Sequence, residues 1–262
     1  MNTSASLLAQ QRQDRIRADL IARGTVRTAD LAADFGVSTV TIRRDLAALE
    51  LLGEAIVIHG GARSFGRHAP PADRRDRTDV QVAAKQAIAR AAVGLIQQGD
   101  AIFLDSGTTC AAMVTGISEL AGVTVVTTDL NTATALAVSA PHVSVVMAGG
   151  VVDPMTLSAV GELLPSVLRY FVFDVAFIST TSWSLDAGAT TGALSYAAVK
   201  KSALERAKRS VLVADSSKYG PAQTYVIQPL VQFSSIITDD GVAPEHRNAL
   251  NLAGINLISA SS

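Results

Sequence analysis

The sequence predicts an α/β protein of two unequal parts: a short helical module closed by a small hairpin, then a larger domain built on a parallel sheet. Three observations carry this. Residues 10–53 hold three stretches of helical periodicity, broken at Gly24 and Gly36, with a short apolar run and a glycine turn behind them. From Val80 onward, seven short apolar runs alternate with amphipathic stretches, the pattern of strands joined by crossover helices. Between the two, residues 63–80 show no apolar period. The expected division is therefore 1–62, a connector over 63–79, and 80–262.

Composition bounds the rest. With 262 residues, 48% hydrophobic and 17% charged, the chain can bury a sizeable core and is not of the disordered class. One cysteine, Cys110, excludes an intrachain disulfide and a thiolate zinc cluster. The polar start, Met1 to Gln13, has no apolar signal region, and no apolar stretch reaches 18 residues. A cytoplasmic protein with no membrane partner, no metal and no cofactor is the expectation. The net charge of −1 hides an asymmetry: residues 1–77 hold 12 of the 22 basic residues, every one an arginine, against 9 acids. Arg63, Arg67, Arg74, Arg75 and Arg77 account for that excess, since residues 1–62 balance at 7 against 7. Charge alone does not declare a nucleic-acid partner.

In the first part, Gln10 to Arg23 carries Ile16, Leu20 and Ile21 at helical spacing, and Gly24 stops it. Thr28 reads as the N-cap of a short helix over 29–35, and Ser38 as the cap of a third helix with Ile42, Leu46 and Leu49 as its buried stripe. Two short helices around Phe35-Gly36-Val37 match a helix-turn-helix. Facing away from the stripe are Thr39, Val40, Arg43 and Arg44, with Thr41 near the start. First-turn hydroxyls and N–H groups suit phosphate oxygens, and arginines one turn further in reach guanine edges in a major groove. The competing reading is a small packing module with solvated arginines. The candidate contacts to double-stranded operator DNA are Thr28, Ser38, Thr39, Val40, Thr41, Arg43, Arg44 and His59. After Gly53, Ala55–Ile58 reads as a short strand and His59-Gly60-Gly61-Ala62 as a sharp turn, the outline of a wing.

The run Val37-Ser38-Thr39-Val40-Thr41-Ile42-Arg43-Arg44-Asp45-Leu46, with His59-Gly60-Gly61-Ala62 behind it, resembles the DeoR family of bacterial transcriptional regulators. The family wing carries basic residues just before its glycine turn, whereas this chain has Glu54, Ala55, Ile56 and Val57. Expected phosphate contacts move to the helix arginines, and His59 either packs the turn or reads a base.

The connector, with Gly66, Pro70, Pro71 and four arginines after Arg63, reads as exposed. In the second part the expected strands are 101–104, 123–127, 143–147, 175–179, 211–214, 235–238 and 255–258, and the helices include 85–97, 131–139, 197–208 and 244–253. Ligands in such sheets bind at the carboxyl ends of strands. There stand Asp105-Ser106-Gly107-Thr108-Thr109, a hydroxyl loop whose N–H groups suit a phosphate, then Thr127-Thr128-Asp129, Gly149-Gly150 and Asp215-Ser216-Ser217-Lys218. Lys218 suits the phosphate and Asp215 sugar hydroxyls.

The resemblance extends through Ser106–Thr109, Gly149-Gly150, Ser158–Gly161, Gly188–Thr191, Val199-Lys200 and Asp215–Lys218. It implies a Rossmann-like effector domain similar in fold to ribose-5-phosphate isomerase and coenzyme A transferases, which binds phosphorylated sugars. The candidate effector set is Asp105, Ser106, Gly107, Thr108, Thr109, Thr128, Asp129, Gly149, Gly150, Thr190, Lys200, Asp215 and Lys218. Two departures fall in the presumed pocket: Tyr196 stands where the family has a glutamate, and Ser179-Thr180-Thr181-Ser182-Trp183 replaces its Gly-Ala-Asp/Asn-Gly stretch. Trp183 reads as core or interface, and Cys110 as a buried structural thiol. The expected function is repression of a carbohydrate-catabolism operon, relieved by a phosphorylated sugar. The alternatives are a phosphosugar isomerase and a DNA-binding protein whose second domain only oligomerises. Repeated half-sites imply self-association as a dimer or tetramer.

Overall fold

Short apolar stripes and glycine stops build the N-terminal module from three helices and a three-stranded sheet. The computed structural model describes residues 9–51, 55–64 and 74–261, and the chain divides into two units, Met1–Ala72 and Asp73–Ser262. In the first, α1 (Ala9–Arg23), α2 (Thr28–Phe35) and α3 (Thr39–Leu51) pack through Ile16, Leu20, Leu31, Ile42, Leu46 and Leu49. The side chain of Ile21 lies outside the described residues. Gly36 ends α2 as a left-handed C-cap. Ser38 caps α3, its Oγ accepting from the Thr41 N–H at 3.1 Å.

Three expectations change here. Thr28 is not an N-cap: Arg27 holds that position, and Thr28 is the buried first residue of α2. A strand, β1 (Thr25–Arg27), was not expected; it pairs antiparallel with β3 (Gly61–Ser64), which pairs in turn with β2 (Ala55–Ile58). Arg63 and Ser64 therefore extend a strand rather than opening the connector. Gly53, Glu54 and residues 65–73, with Arg67, Pro70 and Pro71, lie outside the described residues.

In the second unit, seven parallel strands lie in the order β15-β14-β12-β9-β4-β5-β6. They are β4 (Ala101–Leu104), β5 (Thr124–Thr127), β6 (Ser144–Met147), β9 (Phe173–Ile178), β12 (Ala207–Val213), β14 (Ser235–Asp239) and β15 (Leu257–Ala260). Successive side chains of a strand face opposite ways, and both faces are apolar. Ile102, Leu104, Val125, Val175 and Phe177 pack under α5 (Val82–Val93), α6 (Thr108–Ala111), α7 (Val114–Ile117) and α8 (Leu130–Ser139). Phe103, Val126, Ala176, Ile178 and Leu212 face α9 (Leu163–Leu168), α10 (Leu194–Leu204) and α11 (Pro244–Leu252).

The expected strand runs all fall in this sheet. The helix expected over 197–208 ends at Leu204, because Ala207 and Lys208 already belong to β12 and pair along β9. Two further pieces went unread. One is a hairpin of β7 (Val151–Asp153) and β8 (Ser158–Val160); the other is an antiparallel sheet of β10 (Ser182–Ser184), β11 (Gly188–Thr191) and β13 (Tyr225–Gln228). A five-residue helix, α4 (Arg74–Thr78), opens the second unit where an irregular connector was expected.

Candidate functional site

On the N-terminal unit, α3 buries Ile42, Asp45, Leu46 and Leu49 and exposes Ser38, Thr39, Val40, Arg43 and Arg44, with Val40 at 56%. Asp45 explains why that buried face includes an acid. Its carboxylate takes the Arg12 guanidinium at 2.6 Å and the Gln13 amide at 3.2 Å, tying α3 to α1. Thr41 is half-buried, its hydroxyl 3.0 Å from the Ser38 hydroxyl. Thr28 is removed from the surface, and its N–H donates to the Gly60 carbonyl at 2.8 Å, which fixes the wing turn. His59 is exposed at the tip of that turn. The wing is more basic than its own strand suggested. Arg27 of β1 stands opposite Gly61, and Arg63 of β3 opposite Thr25 and Ile56, so both lie on the sheet face away from Val26 and Ala62. The signal for Arg27 was the Thr-Val-Arg alternation after Gly24, too short to read as a strand.

On the second unit, parallel strands send the loops after β4, β5, β6, β9 and β12 to one edge. The strand order reverses at β4: β5 and β6 lie on one side, β9 and the later strands on the other. Such a reversal opens a crevice at the strand ends, and the 105–109 loop stands there. Gly107 (φ 150°) has a backbone that L side chains rarely adopt, and a Cβ would meet the Ser179 Oγ at 2.7 Å. The N–H groups of Ala111 and Ala112 turn back onto the loop, to the Gly107 and Thr108 carbonyls. Among the described residues, those of Ser106 to Thr109 find no acceptor.

Lys218 reaches this loop from the end of β12. Its Nζ is 3.4 Å from the Thr109 Oγ1 and 3.1 Å from Asp215. Burial alone would push the Asp215 carboxyl up, but the Lys218 ammonium, the Ser217 hydroxyl and Lys85 outweigh it, leaving the group below the ordinary carboxylate value. Lys85, in the first turn of α5, was not singled out from the sequence, where a lysine in an alanine-rich helix reads as solvated. It is 5% exposed and donates to the Arg77 carbonyl. Burial, then the nearby Lys218 charge, lowers it to about 8.

Other expected residues lie behind this surface. Asp105 and Lys200 form a buried ion pair, and Asp105 also accepts from the N–H and hydroxyl of Ser179, both at 2.8 Å. Together they lock β4 to β9. Asp129, fully buried, caps α8 by accepting from the Thr132 N–H at 2.8 Å and pairs with Arg74 of α4. Thr128 is buried, and its carbonyl accepts from Ala159. Thr190 is used inside the antiparallel sheet, donating to the Ser182 carbonyl and accepting from Gln223. Gly150 has a packing reason, since a Cβ would sit 2.5 Å from the Val160 carbonyl, whereas a Cβ at Gly149 meets open space. Tyr196 donates to Asp153 at 2.5 Å, with Thr156 at 2.6 Å, and holds α10 to the β7–β8 hairpin; burial, then Asp153, pushes its phenol up to about 12. Trp183 is fully buried, edge-on to Tyr219, so it belongs to the core. Cys110 is buried with its thiol pushed up, first by burial and then by Asp105.

Residues 12–67 match the DeoR-like helix-turn-helix domain, and residues 80–240 match the DeoR C-terminal sensor domain. The chain belongs to the DeoR family. Among its relatives, the HTH-type transcriptional regulator YgbI of Escherichia coli is 36% identical over 240 residues, covering 92% of this chain and 93% of that one. The lactose phosphotransferase system repressor of Staphylococcus epidermidis is 32% identical over 231 residues, covering 87% and 91%. The HTH-type transcriptional regulator IolR of Bacillus subtilis is 30% identical over 235 residues, covering 88% and 92%. A ribose 5-phosphate isomerase A structure from Methanocaldococcus jannaschii aligns over 52% of this chain and 53% of that one, at 19% identity and a TM-score of 0.39. Within this DeoR-family chain, the loop after β4, Lys218 and Asp215 come together at the strand reversal, and Lys85 feels the charges of Lys218 and Asp215.

Proposed function

We propose that this DeoR-family regulator represses a carbohydrate-utilisation operon and is relieved by a phosphorylated sugar at the Ser106–Thr109 loop. The single observation that supports the sugar-phosphate reading is the Lys218 ammonium, 3.4 Å from the Thr109 hydroxyl at the end of a loop whose N–H groups have no acceptor among the described residues. Directed N–H groups plus a nearby ammonium are what a phosphate needs. Asp215 and Ser106 would then lie toward the sugar hydroxyls. The lactose-system repressor among the relatives favours a carbohydrate operon.

On the DNA side, α3 enters the major groove with Arg43 and Arg44 on base edges. Ser38, Thr39 and Thr41 lie at the phosphates, and Val40 and His59 at the rim. Operators read by helix-turn-helix proteins are commonly paired half-sites, so at least a dimer is the working assembly. Isomerisation is the weaker reading. It needs a carboxylate poised to take a proton; Asp105, Asp129 and Asp215 are held by Lys200, Arg74 and Lys218, and Asp239 at the end of β14 is taken up by the Ser216 N–H and hydroxyl and the Gly241 N–H.

A thermal-shift panel of sugar phosphates on the intact protein tests the reading, because a ligand specific to the folded state raises its apparent stability. A shift with one or a few sugar phosphates, accompanied by loss of operator binding in a gel shift, is the expected result. Shifts with none of them, or turnover of the one that binds, would reject it.

A further inference from the structure

α3 carries two stripes at helical spacing. Ile42, Asp45, Leu46 and Leu49 are buried, and Val40, Arg43, Arg44 and Ala47 are exposed. Residues three and four apart share a helix face, so the two arginines stand in line between Val40 and Ala47. Val40 is 56% exposed, more than any other large apolar side chain described in this unit; Val57 and Ile58 of the wing follow at 40% and 38%. The apolar cluster of the unit takes in Val37, three residues earlier, and leaves Val40 out. Val40 does not cap the helix either, since the Ser38 Oγ accepts from the Thr41 N–H at 3.1 Å. Packing and capping of the module are both met without it.

On a face that meets DNA, the members of this stripe need different partners. Guanidinium groups suit guanine edges and phosphates. An isopropyl group gains nothing from either. The apolar group that a major groove offers is the C5 methyl of thymine, which stands at the outer edge of the base pair, beside the sugar–phosphate wall. Val40 lies in the first turn of α3, and the first residues of a recognition helix are those that contact base edges. Three residues of helix rise by roughly 4.5 Å, close to one base step of roughly 3.4 Å. Val40 is therefore set about one step from the base that Arg43 meets. Its branched side chain is stiff at χ1, so its methyls are held in place before DNA arrives.

We propose that Val40 is a specificity residue that reads a thymine methyl, next to the base pairs met by Arg43 and Arg44. The proposal rests on α3 entering the major groove, as proposed above. It goes beyond that reading by naming a base selected through an apolar contact, where the arginines select by hydrogen bonds.

Deoxyuridine pairs as thymidine does and lacks only the methyl, so it isolates this contact. The probe is a duplex selected by the full chain from a random-sequence pool, with each thymine replaced in turn by deoxyuridine and affinity read by gel shift. Burying one methyl-sized group changes an equilibrium by roughly fourfold, so wild type should lose roughly fourfold at one thymine of each half-site. Val40→Ser should bind the thymine duplex several-fold more weakly and no longer distinguish deoxyuridine at that place. Wild type indifferent to deoxyuridine at every position, or Val40→Ser with the wild-type preference intact, would overturn the proposal and leave the helix in the groove. Unchanged binding in both Arg43→Ala and Arg44→Ala would reject the groove reading itself, and the proposal with it. The wild-type series decides the matter even if the variant does not fold.

Discussion

Asp45→Asn should destabilise the DNA-binding unit while leaving its DNA-facing surface unaltered. The carboxylate lies in a buried ion pair, 2.6 Å from the Arg12 Nε, with side chains 8% and 5% exposed. Its removal takes the Asp45 negative charge away from the buried guanidinium, a loss of up to about 3–5 kcal/mol. The unit ends at Ala72, and a module of that size is stable by only roughly 4–11 kcal/mol. The substitution therefore takes between about a quarter and all of its stability. The assay is pulse proteolysis across a urea series, scoring cleavage in 9–64 separately from cleavage in 80–261, beside an operator gel shift. The first segment should become cleavable at lower urea and operator binding should fall, while the second segment is unaffected. A double variant, Arg12→Met with Asp45→Leu, should recover most of the loss, since apolar replacement of a whole buried pair is often neutral. An unmoved urea midpoint for Asp45→Asn would refute the argument that this motif acid is structural.

Other outcomes follow from the same geometry. Arg43→Ala and Arg44→Ala should each weaken operator binding by about 1–3 kcal/mol without loss of stability, as both are exposed opposite the buried stripe; unchanged gel-shift affinity in both would take α3 out of the interface. Val57→Arg, at an exposed wing position, should steepen the slope of log affinity against log salt by about one unit, and Arg27→Ala should flatten it by about one. Phosphate affinity should fall as pH rises through 8. Lys85 titrates at about 8 among Lys218, Asp215, Arg77 and Asp79, so it attracts an anion below that pH and is neutral above it. The fall should approach about tenfold per unit at most, and titration calorimetry on Lys85→Met should show it largely gone.

The parts of the fold legible in the sequence are those whose burial is periodic. Ile42, Leu46 and Leu49 mark α3, and runs such as Ile102–Leu104 and Val211–Val213 mark strands, because both sheet faces are covered and every residue in the run is apolar. The antiparallel sheet was illegible for the opposite reason. Ser182, Thr190 and Thr191 are buried yet polar, satisfied by bonds such as Ser182 Oγ to the Pro221 carbonyl at 2.6 Å, so no apolar pattern announces them. The same holds at the site. Ser106–Thr109 and Lys218 could be read because they follow strand ends in the chain. Arg74 and Lys85 could not, since each is a basic residue in a polar or alanine-rich stretch whose burial comes from distant partners, Asp129 for one and the α4 carbonyl for the other. Asp105 and Lys200 were read as ligand-facing because motif position does not reveal that two charges neutralise each other.

On the proposed reading, Lys218 and the Ser106–Thr109 loop recognise a phosphate. Titration calorimetry of the intact protein with the sugar phosphate that gives the largest thermal shift, and with the same sugar lacking its phosphate, tests it most directly. Hydrogen bonds to charged groups contribute about 1.5–3 kcal/mol, so Lys218→Ala should bind the sugar phosphate roughly one to two orders of magnitude more weakly and keep its operator affinity. Wild type should bind the dephosphorylated sugar poorly. Equal binding of both sugars by wild type, or an unchanged affinity in Lys218→Ala, would contradict the account.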